Sequence, residues 1–176
     1  MGDGCVVWLT GLPGSGKTTI AKGLEARLRA EGRSVEVLDG DEIRAAISPE
    51  LGFSPEDRKL HNLRVIFLAR LLSRNGVVVI VSLISPYREV RERARRELGR
   101  FLEIWVRAPV EACVRRDPKG HYRQALDGRN PQMTGIQAPY EPPEHPDLVL
   151  PTDEWAIERC VEEVRRALVG AGYLPA

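Results

Sequence analysis

Gly11, Leu12, Pro13, Gly14, Ser15, Gly16, Lys17, Thr18 and Thr19 read GLPGSGKTT, and within them Gly11, Gly16, Lys17 and Thr18 complete the pattern G-x-x-x-x-G-K-[ST]. The stretch follows a β-branched apolar run and opens a helical one, the context that gives such a pattern chemical meaning. Glycines let successive backbone N–H groups turn inward around an anion, and a helix N-terminus adds its partial positive charge. Lys17 is placed to reach the outer phosphates of a nucleoside triphosphate, and the Thr18 hydroxyl to ligate Mg2+. A glycine turn without function explains neither the Lys nor the Thr. The pattern predicts the nucleotide and leaves the phosphate acceptor open.

Downstream, LDGDEIR places Asp39 and Asp41 just beyond a predicted strand and Arg44 one helical turn later. A carboxylate there can accept the proton of an attacking hydroxyl or orient water on magnesium, and Arg44 can hold an anionic acceptor beside it. The plainer reading is that Asp41 caps a helix. In LGFSPEDRKLHNLR, Phe53 stands among polar residues, followed by Arg58, Lys59, His61 and Arg64. An aromatic beside cations suits a nucleotide-like acceptor, with the ring on a base and an arginine on its phosphate. Phe53 could instead staple the helix predicted from Pro55. No guanine-reading N-K-x-D motif occurs, and the third predicted strand, VVVIVSLIS, ends in Ser82 and Ser85 rather than in the acid of a motor ATPase. A calcium loop fails at Ile43 and Arg44. Kinase chemistry remains, against the alternative of a nucleotide-binding regulatory module. Asp41, Arg44 and Arg58 together favour the kinase.

These residues need elements to hold them. Apolar, β-branched runs at Cys5 to Thr10, Ser34 to Asp39, Val77 to Ser82, Phe101 to Val106 and Leu148 to Leu150 predict five strands buried on both faces. Apolar positions at three- and four-residue spacing predict helices over Lys17 to Arg29, Pro55 to Arg74, Arg88 to Leu98, Val110 to Arg116 and Glu154 to Val169. Strand alternating with helix argues a three-layer α/β fold with a parallel, doubly wound, five-stranded sheet, its ligand at the carboxyl edge. One stretch breaks the rhythm. Asp117 to Pro146 is rich in Pro, Gly and polar residues, with a short helix expected near His121 to Leu126. Lys119, Arg123, Arg129, Met133 and Tyr140 interleave cations with large side chains, which suits a lid over bound phosphates. The whole chain, 1–176, reads as one domain.

With 26 Lys plus Arg against 25 Asp plus Glu, no overall field draws the chain to nucleic acid or to an anionic membrane. Cys5, Cys113 and Cys160 are too few and scattered for a disulfide framework or zinc site and are expected in the core. The start, MGDGCVVWLTG, lacks the features of a signal peptide, and no apolar run is long enough to span a bilayer. A cytoplasmic enzyme is expected. The arginine-rich YREVRERARRELGR is read as a solvated helix face with Glu89–Arg93 and Glu92–Arg96 pairs, and Trp8, Trp105 and Trp155 as packing residues of strands or a helix.

Further segments extend the pattern: ISPYR from Ile84 to Arg88, RDPKG from Arg116 to Gly120, TGI from Thr134 to Ile136, and PYEPPEHPDLVL. With GLPGSGKTT, LDGD plus Arg44, and LGFSPEDRK, they resemble the adenylylsulfate (APS) kinase family in order and spacing from about Val6 to Thr152. The resemblance implies a P-loop kinase fold, Mg2+ dependence, a homodimer, and transfer of the ATP γ-phosphate to the 3′-hydroxyl of adenosine 5′-phosphosulfate in sulfate assimilation. By matching position it implies that Lys17 and Thr18 serve ATP and magnesium and that Asp41 is the base or metal organiser. Arg44 and Arg58 would grip the phosphosulfate, Phe53 would stack on the acceptor adenine, and Ile84 would line that pocket. Asp39 and the lid residue Lys119 would border the substrate, and Arg116 would lie against the base of ATP. Ser85 matches the family position proposed as a phosphoserine intermediate; since in-line transfer needs positioning more than a covalent relay, it is read here as binding the acceptor.

Three departures stand out. His61 occupies the family's Asn position, with Asn62 one residue late and about a hundred degrees around a helix. Met133 replaces the Phe before TGI, and Glu42 replaces an Asn, so Glu42 is expected to face solvent. His61 and Met133 keep open a sibling kinase whose acceptor is another nucleotide with a substituted 5′-phosphoryl group.

Overall fold

The computed structural model describes residues 4–129 and 132–175. The element order is β1 (Cys5–Thr10), α1 (Lys17–Ala30), β2 (Val35–Asp39), α2 (Gly40–Ile47), α3 (Pro55–Ser73), β3 (Val78–Ser82), α4 (Arg88–Leu98), β4 (Phe101–Arg107), α5 (Val110–Arg116), α6 (His121–Leu126), β5 (Leu148–Pro151) and α7 (Ile157–Gly170). All strand pairs are parallel, in the order β2-β3-β1-β4-β5.

Period-2 alternation sorts β1 between two cores. Cys5, Val7 and Leu9 pack with residues of α1 and α7, while Val6 and Trp8 pack with residues of α3 and α4 on the other face. The result is the three-layer doubly wound sheet expected from the sequence. From β1 the chain runs out to the β2 edge, and from β3 it crosses over β1 to β4, so the direction of winding reverses beside β1. The register aligns Leu9 with Ser82 and Asp39 with Ser82, which brings the carboxyl ends of β1, β2 and β3 to one edge at that switch point.

Several local expectations shift. The helix expected from Glu154 begins at Ile157, because Glu154 and Trp155 turn back to donate to the Pro151 carbonyl at 3.1 and 2.9 Å. Trp155 therefore sits in a turn. Helix α2 is an added element: none of its eight residues is fully buried, and its apolar stripe is a single turn, Ile43 and Ile47, half-buried against the core, too short to establish a period. On α4, Arg93 pairs with Glu97 at 2.6 Å and Glu89 with Lys59 at 2.5 Å rather than with each other, and the face is not wholly solvated, because Arg91 is buried.

All three cysteines are buried. In the segment 117–146, α6 spans the residues predicted for it, and Tyr122, Ala125 and Met133 form a small core with Ala108, Ala112 and Cys113. Residues 130 and 131 of this segment lie outside the described residues, as do residues 1–3 of the opening stretch. Among the described residues no helix is long and apolar enough to cross a membrane.

Candidate active site

A cleft of about 1020 Å3 runs along the carboxyl edge of the sheet and borders most of the residues singled out from the sequence. Its floor is the turn between β1 and α1. Gly11 is obligatory there, since a Cβ would lie 2.3 Å from the Val106 carbonyl oxygen, and Gly16 enters α1 at φ 104°, a conformation that L side chains rarely adopt. Ser15 N–H donates back to the Leu12 carbonyl at 3.1 Å and closes the turn. The Lys17 ammonium donates to the carbonyls of Gly11 at 2.9 Å and Leu12 at 2.7 Å. Burial, only partly opposed by nearby charges, pulls its pKa down to about 8.

Thr18 Oγ1 donates to Asp39 Oδ2 at 2.8 Å, and Ser82 Oγ lies 3.5 Å from the same hydroxyl. The other Asp39 oxygen accepts from Asp41 N–H at 3.2 Å, so Asp39, not Asp41, caps α2. The family resemblance implies that Asp39 borders the substrate; in the fold its carboxylate meets Thr18. Among the described residues no cluster of three or more His, Cys, Asp or Glu could hold a metal by itself. The paired hydroxyl and carboxylate still fit magnesium, which keeps several waters and takes one or two protein oxygens together with phosphates. Asp41 projects outward, its side chain 70% exposed, and forms an ion pair with Lys119 from the 117–146 segment. That pairing raises the Lys119 pKa.

The other half of the cleft is aromatic and cationic. Phe53 is 58% exposed, with the Arg44 guanidinium 4.5 Å and the Arg58 guanidinium 5.7 Å from its ring centroid. Arg58 ties this corner together, donating to the Phe53 carbonyl at 2.8 Å, the Gln132 carbonyl at 2.5 Å and the Thr134 hydroxyl. Arg44 donates to the Gly52 carbonyl. Burial first, then the charges of Arg44 and Arg64, lowers the His61 pKa to about 4, so the ring is neutral at physiological pH. Its Nδ1 lies 3.0 Å from Ser48 Oγ, which also accepts from Arg64 Nη1 at 3.3 Å. The Ser48 hydroxyl has one proton to donate and two lone pairs, so it can pair with Nδ1 in either neutral tautomer of the ring. Nε2 and the Asn62 Oδ1 are buried without partners among the described residues, and both residues border the cleft. Asn62 Nδ2 donates to the Arg58 carbonyl at 2.7 Å, one position round the helix from His61. Glu42 is exposed, as expected.

Ile84, Ser85 and Met133 complete this end. Ser85 adopts φ 43° and accepts from the Trp8 indole N–H at 2.9 Å, while the Ile84 carbonyl accepts from Thr10 Oγ1 at 2.7 Å. At the opposite end, Arg116 donates to the Thr152 carbonyl at 2.6 Å, and Thr152 Oγ1 donates to the Ser15 carbonyl at 2.7 Å. Trp155 lines this end under the Arg159 guanidinium, 3.8 Å from its ring centroid. Sequence reasoning missed Thr152 and Trp155. The signal available was PTDEW, a turn-forming run directly after the last strand.

The family model for adenylylsulphate kinase matches residues 3–151. The chain belongs to this family. A probable adenylyl-sulfate kinase of Pyrococcus abyssi is 49% identical over 173 residues, covering 98% of this chain and 99% of the relative. An adenylyl-sulfate kinase of a Synechococcus species is 49% identical over 171 residues, covering 97% of each. Among solved structures, the Mycobacterium tuberculosis APS kinase CysC in complex with AMPPNP and APS superimposes with a TM-score of 0.92 at 39% identity, over 96% of this chain and 99% of that one. A hexameric APS kinase from Thiobacillus denitrificans matches at a TM-score of 0.74 and 35% identity, over 98% of this chain but 30% of that one.

Proposed function

We propose that this protein transfers the γ-phosphoryl group of ATP to the 3′-hydroxyl of adenosine 5′-phosphosulfate, giving 3′-phosphoadenosine 5′-phosphosulfate and ADP. The carrying observation is that one continuous cleft joins the phosphate-binding turn to the Phe53, Arg44 and Arg58 corner, in a chain matching over nearly its whole length a kinase solved with AMPPNP and APS. ATP lies with its base towards Arg116 and Trp155 and its phosphates over residues 11–19. APS stacks its adenine between Phe53 and Met133 and sets its phosphosulfate on Arg44 and Arg58, with His61 as a neutral donor beside them.

Phosphoryl transfer is mostly a matter of positioning and charge neutralisation. Asp41 accepts the proton of the 3′-hydroxyl as that oxygen bonds to the γ-phosphorus and the bond to the β–γ bridging oxygen breaks. Lys17 leaves its carbonyl partners for the outer phosphates. Thr18, with Asp39 beside it, would hold Mg2+, whose chemistry there would be to offset charge on the phosphates. Lys119 exchanges Asp41 for phosphate oxygens when the segment 117–146 closes as a lid. Ser85 lines the acceptor pocket, its hydroxyl engaged with Trp8. The chain works as a single domain, in the cytoplasm, and as a homodimer; Leu60 and Phe67, both exposed and seven residues apart on α3, offer an apolar contact.

The test is product identification by mass after mixing the protein with Mg-ATP and either APS or AMP. A 3′-phosphorylated product from APS, with little from AMP, is expected. ATP binding with no turnover of APS would overturn the assignment and turn attention to acceptors with another substituent on the 5′-phosphate, the reading that His61 and Met133 favour.

A further inference from the structure

The bend from Ile84 to Arg88 borders the acceptor half of the cleft but belongs to no strand or helix for most of its length. Within it, Ser85 sits at φ 43°, inside the left-handed region that favours glycine. An L-residue keeps that conformation where its surroundings over-determine it. Arg91 supplies the constraint. It is 1% exposed, and its guanidinium divides among three distant segments. Nε donates to Glu103 Oε1 in β4 at 2.7 Å, Nη1 to the Ser85 carbonyl at 2.5 Å, and Nη2 to the Glu141 carbonyl at 2.6 Å. Glu141, at the end of the 117–146 segment, closes the circuit. Its N–H donates to the Pro86 carbonyl at 2.9 Å, and its carboxylate accepts from Arg88 N–H at 2.7 Å. A buried guanidinium serving only an ion pair would direct its fork at the carboxylate; here two of its three nitrogens serve backbone carbonyls.

We propose that Arg91 is a positioning residue for the acceptor, locking the Ser85 bend to the Glu141 end of the 117–146 segment so that the two move as one body. The inference rests on the assignment of this half of the cleft to APS, but the mechanical coupling does not.

Arg91→Lys keeps a cation beside Glu103 and cannot fork to both carbonyls. In that variant KM for APS rises about tenfold or more, the scale of one charge-assisted hydrogen bond, while KM for ATP stays within about twofold. Glu103→Gln weakens the ion pair but leaves both carbonyl contacts, so it lowers thermal stability with little change in KM for APS. The proposal fails if Arg91→Lys raises both KM values together, or if Glu103→Gln reproduces the acceptor defect. Hydrogen exchange on the unmodified, substrate-free protein keeps the coupling testable should Arg91→Lys not fold. The amides of Arg88 and Glu141 are expected to share one opening free energy. Independent opening of the two would overturn the coupling whatever the acceptor proves to be.

Discussion

Lys17 is the side chain whose proton nucleotide binding must control. Its ammonium is buried and donates to the neutral carbonyls of Gly11 and Leu12, and burial lowers its pKa to about 8. Triphosphate oxygens would surround it with fixed negative charge and return its pKa to about 10.4 or above. The sign follows directly: as pH rises through 8 the free protein loses this proton and the complex keeps it, so binding takes up a proton and affinity falls. For a free pKa near 8, uptake is about half a proton at pH 8 and about 0.9 at pH 9, and affinity is about tenfold weaker at pH 9 than at pH 7. Neighbouring groups are expected to stay silent in this window. His61 titrates at about 4, and burial pushes the Cys113 thiol and the Tyr122 phenol upward. Titration calorimetry of Mg-AMPPNP in two buffers of different ionisation enthalpy reads the proton count at each pH. No proton uptake at pH 8, with affinity flat from pH 7 to 9, would refute this reasoning and mean that Lys17 is fully charged before nucleotide arrives.

Other outcomes follow from the same geometry. Asp41→Asn is expected to lower kcat about a hundredfold or more while leaving the affinity for Mg-AMPPNP nearly unchanged; near-normal turnover would remove Asp41 as the base. Ser85→Ala deprives the buried Trp8 indole N–H of its acceptor and should destabilise the fold by about 1–3 kcal/mol in denaturant melts, while phosphoryl transfer persists. Total loss of transfer in a folded Ser85→Ala protein would instead restore the phosphoserine relay. Met133→Phe puts an aromatic ring at a position that lines the cleft and is expected to keep or lower KM for APS; a sharp rise would mean the pocket is shaped for another acceptor.

The phosphate-binding end was legible because its chemistry is local. Nine consecutive residues carry the glycines, the lysine and the hydroxyl, and the flanking strand and helix show their own periodicity. The acceptor end was legible as residue types, but its partners were not. Thr134 meets Arg58 across 76 positions and Asp41 meets Lys119 across 78, separations at which no spacing rule operates. Helix α2 escaped detection because its Ile43 and Ile47 give one turn of apolar spacing and no more, and Trp155 because a turn delays α7 by three residues relative to the apolar pattern.

What the sequence by itself determined is the alternation of strands and helices, the two-faced burial of the sheet and the glycine-rich turn proposed for the nucleotide, all set by interactions within a few residues of one another. Tertiary structure alone decided which carboxylate serves which partner. Asp39 and Asp41 are two residues apart, yet the first, at the end of β2, meets Thr18, while the second, in the first turn of α2, is exposed and pairs with Lys119. It also decided that Arg91, one arginine among several on a charged helix, is the buried one. Only the packing of α4 against β4 brings Glu103 and the carbonyls of Ser85 and Glu141 around a single guanidinium, and a charge taken from water must find such partners.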